Sequence, residues 1–349
     1  MMNVKLSVAL LAAALSVGLF SAASLAAETG DSGYAVQKTL PVGGEGRWDY
    51  ATFDPSANLL FVTRSTHTQG IDVASGKVVI DVKGQKRSHG TAIVPAVGRG
   101  FITDGGDGTI QVFDLKTGET LGKITAAQDA DGCIYDAGTN RVLASCGDAG
   151  KLAIVAPDVD PKTGKADLVD LGGSPEFLAA DGAGKAYVNL NDKNQIAVVD
   201  LKTLAVVNRW PTGAGTKPTG LAIDAKNHRL FVGCRNQKLV VMSTEDGHVL
   251  GEFNIGKGND ACAFDPGTGD AFASCGDGTL TVLKQTSPGQ FSAAGVQTRA
   301  GARTMTVDPS THILYLPTAD FDAPAGNGPR PAMKAGSFMI VVVAPTSQK

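Results

Sequence analysis

The sequence predicts an all-β fold, a β-propeller of seven blades with four antiparallel strands in each, from two observations. A segment of about 40 residues recurs seven times, and every copy holds two short apolar stretches joined by a turn. The clearest copy is Asn259–Leu280, in which Ala261–Phe264 and Ala271–Ser274 flank an Asp-Pro-Gly turn. One hairpin cannot bury its apolar face alone, and this period is typical of propeller blades.

The seven copies align on the residue that ends the first apolar stretch. Successive alignment positions lie 41, 41, 45, 43, 41 and 43 residues apart, at Asp54, Pro95, Asp136, Asp181, Asp224, Asp265 and Asp308. Asp before Pro or Gly suits a tight turn, because its carboxylate accepts hydrogen bonds from the backbone amides that follow. We therefore interpret these aspartates as turn residues.

The repeat is out of phase at its two ends. Arg303–Val343 supplies only three strands of a blade, whereas Tyr34–Val42 resembles a fourth strand without the three that should precede it. We expect this N-terminal strand to complete the last blade, because the ring is then closed and exposed sheet edges are removed.

Residues 1–27 have the pattern of a secretory signal peptide. Lys5 precedes the apolar run Leu6–Phe20, and small residues end the segment at Ala26 and Ala27. A membrane anchor is the alternative, but the apolar run is short for a helix that spans a bilayer. The sequence therefore predicts a leader over 1–27 and a single propeller domain over 28–349, which is periplasmic or secreted.

The charge of the chain argues against nucleic acid as a partner. The formal net charge is −3, and it becomes −4 once the leader is removed, because Lys5 is the only charged residue there. No run of Lys and Arg forms the basic stripe that phosphate binding favours. No other stretch is suited to span a membrane, and we expect a monomer.

One face of the predicted ring carries an unusual set of side chains. Five positions before each alignment residue, where the innermost strands begin, stand Asp49, Gly90, Asp131, Glu176, Thr219, Asp260 and Arg303. Four carboxylates at seven equivalent positions exceed what 34 acidic residues in 349 would place there by chance. Like charges around a narrow mouth are unfavourable unless a cation or a base neutralises them. The pattern indicates a binding funnel; the alternative is that each carboxylate caps amides of the entering loop.

Further polar and aromatic residues fall on the same face. His89 precedes Gly90, and the wall is completed by Trp48, Tyr50, Arg64, His67, Arg87, Asn191, Arg235 and Arg299. The residues we expect to bind a ligand are Trp48, Asp49, His89, Asp131, Glu176, Asn191, Asp260 and Arg303. The carboxylates would neutralise positive charge, Trp48 would stack on the ligand, and Arg303 would orient an anionic group.

An imidazole beside carboxylates also permits metal chemistry. Asp49, Glu176 or Asp260 would then hold a divalent cation such as Ca²⁺, and His89 would act as a base. No His-x-x-x-His or Cys-x-x-Cys spacing supports a dedicated metal site. We therefore expect no cofactor, with a divalent cation in the funnel as the alternative. The long Pro- and Gly-rich segment Ala319–Gly336, on the same face, is either a binding loop or disordered.

Two pairs of cysteines occupy equivalent places in two blades. Cys133 and Cys262 lie in first strands, and Cys146 and Cys275 end second strands. Across each hairpin the two positions are diagonal neighbours on one face. In an oxidising compartment this predicts the disulfides Cys133–Cys146 and Cys262–Cys275, unless the diagonal Cα separation is too long. Cys234 lacks such a partner and is expected to be a free thiol.

The chain resembles the YncE-like, YVTN-repeat family of exported bacterial seven-bladed propellers. The resemblance covers residues 34–344, and its motifs are RWDYATFDP (Arg47–Pro55), SHGTAIVPAVGRGF (Ser88–Phe101), GGSPEFLAADGAGKAYVN (Gly172–Asn189), KPTGLAIDAKNHRLFVGC (Lys217–Cys234) and RAGARTMTVDPSTHILYLPTADF (Arg299–Phe321). It implies a periplasmic or extracellular binding propeller whose ligand the family does not specify.

Two functions are consistent with these observations. The one we favour is an exported binding or scaffold protein whose funnel receives a small polar or cationic ligand, or a loop of a partner protein. The alternative is a metal-assisted hydrolase or lactonase. The chain has no Gly-x-Ser-x-Gly nucleophile motif, and its two tryptophans are too few for the propellers that hold a quinone.

Overall fold

The computed structural model describes residues 31–322 and 331–346 of the chain. The predicted leader over 1–27 and the middle of the predicted loop Ala319–Gly336 lie outside these ranges. None of the described residues forms a helix with the length and hydropathy that a bilayer crossing requires.

Nearly all regular structure in these ranges is β-strand, with one short 3-10 helix at Pro95–Val97. The strands, numbered along the chain, are β1 (Tyr34–Pro41), β2 (Ala51–Asp54), β3 (Leu59–Thr63), β4 (Ser65–Asp72), β5 (Val78–Val94), β6 (Arg99–Asp104), β7 (Thr109–Asp114), β8 (Thr120–Thr125), β9 (Ala130–Asp136), β10 (Arg141–Cys146), β11 (Lys151–Val155), β12 (Asp167–Asp170), β13 (Pro175–Ala180), β14 (Lys185–Leu190), β15 (Gln195–Asp200), β16 (Ala205–Pro211), β17 (Pro218–Asp224), β18 (Arg229–Cys234), β19 (Lys238–Ser243), β20 (Val249–Asn254), β21 (Asn259–Asp265), β22 (Asp270–Cys275), β23 (Thr279–Ser287), β24 (Gln290–Gln297), β25 (Thr306–Asp308), β26 (Ile313–Thr318) and β27 (Met339–Pro345).

These strands form antiparallel sheets of repeated order. Five sheets have four strands: β9–β12, β13–β16, β17–β20, β21–β24, and β25–β27 with β1. The sixth, β2–β8, has seven strands, because β5 pairs with β4 through residues 78–83 and Ser88 and with β6 through residues 88–94. The predicted all-β architecture of four-stranded antiparallel sheets is confirmed. The count of seven blades stays a prediction, since β5 is continuous between two of them.

The strand that starts each four-stranded unit faces the centre of the molecule. These inner strands, β2, the second part of β5, β9, β13, β17, β21 and β25, contact one another in a closed ring. At the outside, β1 pairs with β27 from Tyr34 opposite Pro345 to Pro41 opposite Met339. The N-terminal strand therefore completes the last sheet, as predicted.

Turn chemistry explains where the inner strands end. Asp54, Asp265 and Asp308 each accept a hydrogen bond at 2.9 Å from the backbone amide two residues further on. A left-handed residue completes several of these turns, such as Asn140 with φ 54° and Gly269 with φ 77°. The interpretation of these aspartates as turn residues is confirmed.

Apolar side chains are buried between neighbouring sheets rather than in one central core. One cluster, for example, joins Leu143 and Ile154 of one sheet to Leu178 and Val188 of the next. The side chains alternate along each strand, so the opposite face of a sheet packs on its other neighbour. The centre of the ring is thereby left to polar residues at one end of the inner strands.

The two predicted disulfides are absent. All five cysteines lie in the described ranges, and all are buried free thiols. Cys133 is opposite Ala144 and Cys146 is opposite Ala130, with a β-bulge between. Diagonal neighbours have Cα atoms about 7–8 Å apart, beyond the usual disulfide range. Burial also raises the pKa of the Cys133 and Cys146 thiols to about 12, which disfavours the reactive thiolate.

Candidate functional site

The acidic positions chosen from the sequence lie where inner strands begin. Asp131, Glu176 and Asp260 are the second residues of β9, β13 and β21, and Asp49 precedes β2 by two residues. Because these strands contact one another in a ring, the four carboxyl groups converge on one end of the central axis. We call this end the acidic mouth.

Two arginines neutralise Asp260. Arg303 donates from Nε to Oδ2 of Asp260 at 2.6 Å, and Arg235 donates from Nη2 to Oδ1 at 2.6 Å. Burial still raises the pKa of Asp260, although the two guanidinium groups oppose this. Both oxygens of Asp260 are therefore engaged by the protein itself.

His89 neutralises Asp49. Its Nδ1 lies 2.6 Å from Oδ2 of Asp49, while Oδ1 of Asp49 accepts a long bond of 3.4 Å from Nη2 of Arg303. Burial alone would lower the pKa of His89, but the hydrogen bond to Asp49 and the charges of Asp131 and Asp49 raise it. The imidazole is thus held in the form that carries a proton on Nδ1.

The carboxyl groups of Asp131 and Glu176 accept no hydrogen bond within the described residues, and cationic groups act on them only through space. Oδ1 of Asp131 is buried without a hydrogen bond. It lies 3.4 Å from Nδ1 of His89, which is hydrogen-bonded to Asp49. In the described part of the chain no donor bonds to the carboxyl group of Glu176, on which Arg235 acts only through space. Burial and neighbouring carboxylates raise the pKa of Asp131, although the charge of His89 opposes this, and they bring that of Glu176 to about 7.

Tyr50 forms the floor of the acidic mouth. Its ring packs against that of Phe177 with centroids 4.7 Å apart and a tilt of 38° between the planes, and only 7% of the residue is exposed. Burial raises the pKa of Tyr50 well above its usual value, and Asp131, Asp49, Asp260 and Glu176 all raise it further. The hydroxyl therefore lies where the fields of all four carboxyl groups overlap.

Beyond this floor the walls are mostly apolar. Phe177 also lines a cavity of about 490 Å³ whose other walls include Thr52, Ile134 and Phe264. Phe177 thus lies between Tyr50 and a mostly apolar cavity at the opposite end of the inner strands.

Three of the predicted ligand-binding residues make contacts within the protein in place of the ligand contacts expected of them. Trp48 is 4% exposed because Phe321 and Phe338 cover its ring, so it does not offer a stacking surface. Arg303 donates hydrogen bonds to Asp260, Asp49 and the carbonyl of Trp48, so its guanidinium group binds the protein itself rather than an anionic ligand. Asn191 donates to the carbonyl of Pro218 at 3.4 Å and holds the backbone there.

Arg64, assigned to the wall of the funnel, is instead fully buried. It donates to the carbonyls of Gly43, Glu45 and Gly46 and to the side chain of Gln69 at 2.7 Å. Burial lowers the pKa of its guanidinium to about 10. Arg64 therefore holds the segment that leads from β1 into the acidic mouth.

Tyr50 and Arg235 were placed on the wall of the funnel from the sequence but were not among the residues expected to bind a ligand, and both belong to the mouth. The sequence indicated both positions: Tyr50 directly follows Asp49, and Arg235 follows a second strand on the same face. Phe177 carried a weaker signal, because an aromatic side chain after Glu176 is equally typical of the sheet core.

Replacement of Glu176 by Gln tests the cost of the uncompensated carboxyl group. The folded-state pKa of about 7 exceeds the usual 4.5, so the stability that protonation provides is complete below about pH 4.5 and is lost as the pH rises through 7. The neutral amide avoids this loss. Glu176→Gln should therefore unfold at the same temperature as the wild type at pH 4.5 but be more stable by about 3 kcal/mol at pH 8.5.

Thermal unfolding followed by circular dichroism at the two pH values measures this difference. Glu119→Gln, at an exposed position, is the matched control and should behave as the wild type at both. Equal melting of Glu176→Gln and the wild type at pH 8.5 would contradict the description of the mouth.

Comparison with known proteins supports the fold. No protein-family model and no curated protein sequence matches the chain. A hydrazine synthase structure from Kuenenia stuttgartiensis superposes with a TM-score of 0.66 and 14% identity, over 80% of this chain and 94% of that one. The Cps50 (Swd1) β-propeller domain of Myceliophteria thermophila gives a TM-score of 0.69 and 12% identity, over 90% and 100%. At these identities the likeness concerns the fold alone, and the chain is a β-propeller.

Proposed function

We propose that this β-propeller is an exported binding or scaffold protein whose acidic mouth binds a small, positively charged ligand. The observation that carries the proposal is that Asp131 and Glu176 are largely buried and lack hydrogen-bond donors within the described residues. The likeness of its repeats to exported YncE-like propellers supports the periplasmic or extracellular location, which is part of the proposal.

The balance of charge supports a cationic rather than an anionic ligand. Arg303 and Arg235 are committed to Asp260, and His89 is committed to Asp49. Among the donor groups of these residues, Nε2 of His89 is buried without a hydrogen bond, but the carboxyl groups outnumber the cationic side chains. A cation would relieve the repulsion that raises the pKa of Glu176.

Binding of a cation near Glu176 should release protons at neutral pH. Its pKa of about 7 leaves the carboxyl group roughly half protonated there, and a positive charge lowers that pKa. Calorimetric titration with n-butylamine at pH 7, in two buffers of different ionisation enthalpy, measures the released protons. We expect release from the wild type and at least about tenfold weaker binding by Asp131→Asn and Glu176→Gln.

Glu119→Gln again serves as the control, because this carboxylate is exposed and far along the chain from the mouth. Sodium butyrate, which carries the opposite charge on a similar chain, should not bind. If the amine bound all four proteins equally, or if butyrate bound as well, the acidic mouth would not be the site.

A second candidate function, metal-assisted hydrolysis, is favoured by one cluster. Donor atoms of Asp49, His89 and Asp131 lie within 4.8 Å of one another. One nitrogen with two carboxylates suits Zn²⁺ or Mn²⁺ better than Ca²⁺, which prefers six to eight oxygen ligands. Asp260, a ligand in the original expectation, is instead bonded to two arginines. Elemental analysis tests this candidate: a stoichiometric metal that Asp131→Asn loses would support it.

A further inference from the structure

Not every acceptor in the acidic mouth is open to a ligand. Both oxygens of Asp260 are bonded to arginines, and both oxygens of Asp49 accept hydrogen bonds, from Arg303 and His89. Asp131 and Glu176 have no hydrogen-bonded donor in the part of the chain that the structure describes. The ligand must therefore be recognised mainly by these two carboxyl groups.

Tyr50 adds a third open group by an independent observation. Its hydroxyl has no hydrogen bond among the described residues, although the residue is only 7% exposed. The ring is fixed between Phe177 behind it and its own backbone, whose N–H donates to the carbonyl of His89 at 3.2 Å. All four carboxyl groups of the mouth act on this hydroxyl, which places it among them. The hydroxyl oxygen keeps some solvent access, so a ligand donor can reach it and supply the hydrogen bond that the protein does not.

The three open groups match the donors of one particular cation. A primary ammonium carries three N–H donors and no acceptor. A quaternary ammonium has no donor, and a guanidinium is planar and suited to paired bonds with one carboxylate. We infer that the acidic mouth recognises a primary ammonium group, whose three N–H groups donate to Asp131, Glu176 and the hydroxyl of Tyr50. This inference rests on the proposed function, since it names the cation that the mouth binds.

The ammonium can belong to a small free amine or to a lysine side chain of a partner protein, and both present the same group on an alkyl chain. The three acceptors are shared by both sources. Titrations of the purified full chain with n-butylamine and with a blocked Gly-Lys-Gly peptide separate them, because a small-amine site should bind butylamine more tightly than the peptide.

The decisive experiment compares three butyl cations at pH 8 by calorimetry: n-butylamine, butylguanidine and butyltrimethylammonium. We expect the amine to bind at least about tenfold more tightly than the trimethylated analogue. Tyr50→Phe removes only the hydroxyl and should weaken the amine about 10-fold without changing the affinity for butyltrimethylammonium. Tyr135→Phe, which deletes a hydroxyl bonded to Asn140 at the turn end of β9, is the matched control and should bind like the wild type.

The possible results distinguish failure of the ammonium inference from failure of the proposed function, the binding of a cation by the acidic mouth. Equal binding of the three cations, or no effect of Tyr50→Phe on the amine, would overturn the ammonium inference and leave the cationic mouth standing. Binding of Zn²⁺ with none of the organic cations would also overturn it, in favour of the metal candidate. Failure of every cation, with Asp131→Asn indistinguishable from the wild type, would remove both.

Discussion

A protein that lacks β1 (Tyr34–Pro41) is expected to lose its cooperative folding. This strand pairs with β27 along its whole length, and without it β27 becomes an unpaired sheet edge. Its two buried side chains reach different neighbours: Tyr34 packs edge-on against Phe272 at 5.2 Å, and Leu40 joins the cluster around Trp48. Deletion of residues 34–41 thus opens the ring on both sides of the last sheet.

The size of this effect follows from the two buried anchors. Truncation of a buried large side chain typically costs about 2–5 kcal/mol, so Tyr34→Ala and Leu40→Ala should each lower stability by an amount in that range. Their combined loss, with that of the strand pairing, approaches the whole stability of an ordinary domain. Thermal unfolding and size-exclusion chromatography should show a partly unfolded, aggregating protein for the deletion.

Lys38→Ala and Thr39→Ala are matched controls, because both side chains are exposed on the same strand. Each should change stability by less than about 0.5 kcal/mol. A deletion variant that melted like the wild type would mean that the ring does not depend on its closing strand.

The architecture could be predicted because its determinants are local and repeated. Most inner strands end at or beside an aspartate, and at Asp54 and Asp308 the carboxylate accepts a hydrogen bond from the amide two residues further on. This turn chemistry is visible in the sequence. The out-of-phase ends likewise predicted the pairing of β1 with β27. The continuity of β5 through two units was not visible, because the residues between its halves carry no turn signal that differs from the other connections.

The membership of the acidic mouth could be predicted, but the pairing of charges within it could not. Position in the repeat brought Asp49, Asp131, Glu176 and Asp260 to one end of the inner strands. Which of them is neutralised depends on side-chain directions, since Arg303 reaches Asp260 across 43 residues of sequence. The predicted stacking of Trp48 on a ligand was wrong for a similar reason: the rings that bury it, Phe321 and Phe338, come from the far end of the chain.

Arg303→Leu is expected to cost about 3–5 kcal/mol at pH 7, the second large effect. Among the described residues, the substitution leaves Asp260, which is 9% exposed, with Arg235 as its one hydrogen-bonded cationic partner, and it removes the donor to the carbonyl of Trp48. Breaking one side of a buried ion pair is more costly than replacing both, because a charge remains without compensation. The double variant Arg303→Leu/Asp260→Asn should therefore regain part of the loss.

The pH dependence gives this prediction its sharpest test. Burial already raises the pKa of Asp260, and loss of Arg303 raises it further. A carboxyl group whose folded-state pKa is raised stabilises the fold below its unfolded value, near 3.8, and that stability is lost as the pH rises. The deficit of Arg303→Leu, measured by urea unfolding, should thus be small near pH 4 and largest at pH 7–8. Arg87→Leu, which breaks an exposed pair with Asp129, should cost at most about 1 kcal/mol, and a deficit of Arg303→Leu that did not vary with pH would refute the role of Asp260.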